Sequence, residues 1–97
     1  MNLGEKIKSL RQKKGIGIKV LAENINVNYT YISKIENDKV TPSKDTIIRM
    51  AEYFNCNKDE LLLAADIIPD DIKNILKENP TEAIEFIRRI FSSGSKS

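Results

Sequence analysis

The sequence has no histidine and one cysteine, Cys56, and these scarcities remove most enzymatic and metal chemistry. Without an imidazole the commonest general base and transition-metal ligand at neutral pH is missing. One thiol cannot close an internal disulfide and has no histidine or second cysteine with which to hold a metal, so Cys56 is expected to be a half-buried apolar filler. No paired carboxylates and no glycine-rich phosphate loop stand at a recognisable spacing. We therefore expect no enzyme, no metal and no cofactor. Long hydrophobic runs are absent too: no stretch approaches the roughly 18 apolar residues of a membrane span. The N-terminal stretch is charged, unlike a signal peptide, so a soluble cytoplasmic protein with no membrane partner is the expectation.

Ninety-seven residues at 40% hydrophobic content make one small domain, enough for a single core and too few for two independent ones. The formal net charge of +2 says little, but its distribution says more. Residues 1–65 carry eleven lysines and arginines against eight acids, a net of +3, whereas residues 66–97 carry five against six, a net of −1. Lys6, Lys8, Arg11, Lys13, Lys14 and Lys19 lie close together with only Glu5 opposing them. Such a cluster favours a polyanion, although a solvated helix face looks the same by charge alone.

The most informative stretch is Ile18 to Asn37, IKVLAENINVNYTYISKIEN. At helical spacing Val20, Leu21 and Ile25 make one short apolar face, and Ile32 and Ile35 make a second after a break at Asn26-Val27-Asn28. Two short helices joined by a tight turn follow. Asn26 tolerates the left-handed backbone that stops the first, Asn28 can cap the second, and the small Ala22 sits where the two would cross. In the second helix the outward residues among Asn28, Tyr29, Thr30, Ser33 and Lys34 can meet base edges in a major groove, while Ile32 and Ile35 face inward and Tyr31 seals the edge of the core. Without further context all five are ordinary exposed helix residues.

This spacing is that of a helix-turn-helix, and the stretch resembles the lambda repressor and Cro type of DNA-binding domain, the xenobiotic-response-element family. Leu10 to Gly15 looks like the end of that family's first helix, Tyr31 to Asn37 like its recognition helix, and Thr41-Pro42-Ser43 through Leu62 like its fourth and fifth. The resemblance covers about two thirds of the chain. It implies an all-α fold, a five-helix repressor-like helix-turn-helix domain, here with two additional C-terminal helices. It also implies that Arg11 and Glu36 form a structural ion pair tying the first helix to the third; the alternative is that Arg11 reaches a phosphate alone. Asn37 and Lys39 match positions that approach backbone phosphates. Two departures stand out. Where the family commonly has a Ser or Thr cap followed by a phosphate-binding Gln, this chain has Gly17 and Ile18, so Lys19 is the candidate to compensate; and Asp38 replaces the usual Gly.

Around this stretch, residues 3–14 read as a first helix with Leu3, Ile7 and Leu10 inside and Gly15 ending it. Ser43 caps a fourth helix whose inner stripe is Ile47, Ile48, Ala51 and Phe54, with Met50 at the border and Asn55 closing it. Asn57 to Glu60 reads as a capping box opening a fifth, with Leu61 and Leu62 inside. Pro69 opens a sixth through about Lys77, and Asn79 to Glu82 reads as another capping box opening a seventh. The expected division is a DNA-binding domain at 1–65, a helical extension at 66–92 and a disordered tail at 93–97. The wide apolar stripe of the last helix, with Ile84, Ile87, Ile90 and Phe91, needs a surface to cover it, and a second copy is the favoured one. The expected function is a sequence-specific transcriptional regulator, most simply a repressor or autoregulator, binding double-stranded DNA through the major groove of a pseudo-palindromic operator as a homodimer. A protein-interaction adaptor on the same helical fold is the competing reading. No effector can be named from the sequence.

Overall fold

Four helix starts in this protein are set by side chains that accept free backbone N–H groups, and five helix ends by a residue in the left-handed conformation. The structure, a computed structural model, describes residues 1–92. Its helices are α1 (Leu3–Lys14), α2 (Ile18–Asn24), α3 (Tyr29–Glu36), α4 (Lys44–Phe54), α5 (Lys58–Ala64), α6 (Asp70–Glu78) and α7 (Pro80–Ile87), followed by one π-helical turn, Arg88–Ser92. No strand occurs among the described residues. The chain divides into two compact units, residues 1–67 and residues from 68 onward.

In the first unit every helix start but that of α2 has a side-chain cap. Asn2 and Glu5 form a reciprocal capping box on α1, a device not foreseen from the sequence. Asn28, Ser43 and Asn57 accept backbone N–H groups at the starts of α3, α4 and α5. Asn57 accepts from Asp59 at 2.7 Å and from Glu60 at 3.4 Å.

The ends follow one rule. Gly15, Asn26, Asp38, Asn55 and Asp66 all have left-handed backbones, with φ between 55° and 71°. The amide after each reaches back to a carbonyl five residues earlier: Ile16 to Arg11, Val27 to Ala22, Lys39 to Lys34, Cys56 to Ala51 and Ile67 to Leu62. These are five Schellman closures, which reverse the chain and return the following side chain towards the helix just ended. Ile16, Val27, Cys56 and Ile67 accordingly pack on the core. Because Ile67 is drawn in this way, the first unit extends two residues past the expected boundary at 65.

The core holds Leu3 and Ile7 of α1, Leu21, Ala22 and Ile25 around α2, Ile32 and Ile35 of α3, Ile47, Met50 and Ala51 of α4, and Leu61 and Leu62 of α5. Two expectations need correction. Val20 is 43% exposed rather than part of the inner face of α2, where Ile18 takes its place beside Leu21 and Ala22. In α4 Met50 is fully buried and Ile48 only partly, because the inward series is 47, 50, 51 and 54, the i, i+3, i+4, i+7 row of one helical face. A glycine fixes the approach of α1 to α3: a Cβ on Gly4 would lie 2.5 Å from the Ile35 carbonyl oxygen.

The second unit is built differently. α6 and α7 pack on each other, but no side chain among residues 68–92 is fully buried. The capping box expected at Asn79 does not form; the Asn79 side chain turns back and donates to the Ile75 carbonyl at 3.1 Å, closing α6 instead of opening α7. Asn79 has φ −135° and ψ 56°, and no side-chain bond from it reaches the first turn of α7. The last helix ends at Ile87, and Ile90 and Phe91 lie in the π-helical turn. The expected disordered tail lies outside the described residues.

Candidate nucleic-acid interface

α3 divides cleanly into two faces. Ile32 and Ile35 are sealed in the core, Tyr31 and Ser33 are half-buried, and Asn28, Tyr29, Thr30 and Lys34 are exposed. Asn28 sits just before the helix, where its Oδ1 accepts from the Thr30 N–H at 2.9 Å and from the Thr30 hydroxyl at 2.8 Å. At the other end Asn37 donates its side-chain amide to the Ser33 carbonyl at 2.8 Å.

α2 presents its N-terminus without a side-chain cap, since Gly17 has none to offer. The Lys19 ammonium lies 5.2 Å from the centroid of the Tyr29 ring, which is itself 49% exposed. This cation–π contact brings the starts of α2 and α3 together and holds a positive charge beside the exposed edge of α3.

Lys39 breaks a pattern. The other four Schellman closures place an apolar side chain on the core, yet after α3 the same position carries an exposed lysine, and the chain returns inward only at Val40. Local packing gives no reason for a cation there. Asp38, beside it, adopts φ 58°, a conformation that Asp tolerates less readily than the glycine usual in the family.

Behind this surface Arg11 forms a two-pronged ion pair with Glu36, Nε to Oε2 at 2.7 Å and Nη2 to Oε1 at 3.0 Å, and donates from Nη1 to the Ile16 carbonyl at 3.0 Å. The two side chains are only 13% and 5% exposed. Hydrogen bonding to Glu36, aided by its charge, raises the Arg11 pKa, while burial opposes that shift. Every guanidinium nitrogen of Arg11 is thus engaged within the protein, and the pair fastens the end of α3 to α1.

Two positioning residues were missed in the sequence. Gly4 was one, although a glycine inside a helix costs about 1 kcal/mol and so calls for a packing reason. Arg49 was the other: it donates to the Ile25 carbonyl at the end of α2, and its Nε stands 3.1 Å from Asp45, a charge contact whose geometry makes no hydrogen bond. Asp45 four residues before Arg49 was a visible sign of the local contact, but nothing local pointed to Ile25. Ile84, Ile87, Ile90 and Phe91 belong to the second unit, and all four are exposed. Burial pushes the Cys56 thiol up, as does the nearby Glu60 charge.

A helix-turn-helix domain model matches residues 4–67. The chain belongs to that family, the helix-turn-helix transcriptional regulators of the lambda repressor and Cro type. This helix-turn-helix regulator is similar to the HTH-type transcriptional regulator ImmR of Bacillus subtilis (strain 168), at 30% identity over 88 residues that cover 91% of the chain and 69% of ImmR. Among solved structures it is similar to the P22 c2 repressor in complex with a synthetic operator, with TM-score 0.60 and 24% identity over 63% of this chain and 92% of that one. It is also similar to a complex of the SinR and SinI proteins, with TM-score 0.59 and 22% identity over 96% and 94% of the two chains. At those identities the structural likeness is one of fold. Among the described residues no helix is long and apolar enough to cross a membrane, and no group of three or more His, Cys, Asp or Glu side chains is placed to hold a metal.

Proposed function

We propose that this regulator binds a pseudo-palindromic operator as a homodimer, most simply as a repressor or autoregulator, with α3 lying in the major groove. The observation that carries the reading is the split of α3, with isoleucines sealed inward and a polar edge from Asn28 to Lys34 left to solvent. A helix so oriented can offer its N-terminal side chains to base edges. Tyr29 meets a thymine methyl or a base acceptor, Thr30 meets a base edge, Ser33 reaches from its half-buried position, and Lys34 donates to guanine. Lys19, Asn37 and Lys39 contact phosphates on either side. Lys39 is the best supported of these, because its exposure is not accounted for by packing.

One recognition helix reads few base pairs, so a second copy about 34–36 Å away on the same face of the duplex makes a specific site. The exposed apolar residues Ile84, Ile87, Ile90 and Phe91 support pairing through the second unit. Selection of bound duplexes from a random pool tests the proposal, because it yields the site, its symmetry and its half-site spacing together. A two-fold symmetric site is the expected outcome; an asymmetric or single half-site would contradict dimeric binding.

A second reading, a protein-interaction adaptor, has support in Ile18, which cannot donate to a phosphate, and in the exposed negative charge of Asp38. The structural likeness to a chain in a SinR and SinI complex is in keeping with it. Salt separates the two readings: contacts to several phosphates make log K fall steeply with log salt, by about 0.9 per phosphate, whereas association with a protein carries no such requirement.

A further inference from the structure

Resting on the DNA-binding proposal, we infer that Asn28 and Thr30 form a locked pair in which Asn28 faces the groove only as a donor and Thr30 only as an acceptor, so that Thr30 selects a base bearing an exocyclic amino group.

The Thr30 backbone N–H can only donate, so the side-chain atom of Asn28 that faces it at 2.9 Å must be the amide oxygen. That same oxygen stands 2.8 Å from the Thr30 hydroxyl oxygen. An amide oxygen carries no proton, so the one between them belongs to Thr30. Both lone pairs of Asn28 Oδ1 are then filled. Outward, Asn28 shows two N–H donors and no acceptor, and Thr30 shows hydroxyl lone pairs and a methyl group but no donor.

This arrangement restricts what each residue can read. The bidentate pairing of Asn with adenine uses amide oxygen and nitrogen together, and it is closed to Asn28 while Asn28 caps α3. Its free N–H groups suit a phosphate oxygen, a purine N7, guanine O6 or thymine O4. Thr30 needs a donor, and on major-groove base edges the donors are cytosine N4 and adenine N6. Guanine and thymine offer its hydroxyl only acceptors.

Duplex selection with the full chain and its variants, beside thermal unfolding without DNA, tests the pair. Thr30→Val keeps the shape and removes the hydroxyl; it should lose about threefold to tenfold discrimination at one position of each half-site and keep the rest. Thr30→Ser should bind more weakly through loss of the methyl group yet retain the same base choice. Asn28→Asp keeps both accepted hydrogen bonds and removes the donors, so it should melt no lower than the parent and lose at least about tenfold in affinity on every sequence. In DNA-free melts, Thr30→Val should lower the midpoint with Asn28 present and have a smaller effect in an Asn28→Ala background.

An unchanged selection profile for Thr30→Val, a guanine or thymine preference that survives it, or undiminished affinity in Asn28→Asp would overturn the inference while leaving DNA binding intact. Equal thermal effects of Thr30→Val in both backgrounds would overturn it without reference to DNA. If the parent enriched no duplex at low salt, the DNA reading would fall and this inference with it.

Discussion

The two units of this chain use the same raw material, short amphipathic helices, to opposite ends. In residues 1–67 five helices converge on one core, and Ile7, Leu21, Ile32, Ile35, Ile47, Met50 and Leu61 lose essentially all contact with water. From residue 68 to 92 the helices are nine and eight residues long, and Ile72, Ile75, Ile84, Ile87 and Phe91 remain exposed, the last by 73%. Helices of that length are marginal alone. Amphipathic spacing therefore marks a face that needs covering without saying what covers it. In the first unit the chain covers it by reversing tightly after each helix, whereas two helices cannot enclose a third dimension.

The largest effect that would sharpen this contrast is a pair of cavity mutations. Ile32→Ala should cost about 2–5 kcal/mol in thermal unfolding, whereas Ile72→Ala should change the stability of the first unit by no more than about 0.5 kcal/mol. Equal losses would break the division between the units. Next is Glu36→Ala, which leaves the nearly buried Arg11 without its carboxylate and should cost about 3 kcal/mol. The Arg11 pKa is raised in the fold, so its share of the stability is fully present at neutral pH and survives moderate alkalinisation.

Gly4→Ala should cost about 1–3 kcal/mol, because the new methyl meets backbone rather than a movable side chain; retention of the parent melting temperature would show that α1 and α3 can part at no cost. Replacing Ile87 and Phe91 together by Asp should leave the first unit folded and give a monomer in sedimentation equilibrium, while loss of the main thermal transition would place those residues in a shared core. The smallest effect is that of Lys39→Ala. It should weaken all duplexes alike and flatten the salt dependence by about 0.9, the share of one phosphate; a sequence-dependent loss would move Lys39 to base reading.

What could be read from the sequence was mostly local. Asn26 and Asn55 ending helices, Asn28, Ser43 and Asn57 starting them, and the inward pair Ile32 and Ile35 each depend on a few neighbouring residues, and the structure has them so. What could not be read depends on distant backbone. Gly4 matters because of the Ile35 carbonyl, and Arg49 because of the Ile25 carbonyl. Asn79 shows a local signal that a competing partner overruled, since its side chain is used on the Ile75 carbonyl at the end of α6. The exposed polar positions of α3 were legible, but the hydrogen bond that fixes the proton of Thr30 was not, because it required the placement of two side chains.

The measurement that bears most directly on the account is an amide chemical-shift map of the full chain as duplex DNA is added at low ionic strength. The account predicts that the largest perturbations fall at Tyr29, Thr30, Lys34 and Lys39 and at the start of α2, and that they fade as salt is raised. No perturbation with any duplex, or perturbation confined to residues 68–92, would contradict it.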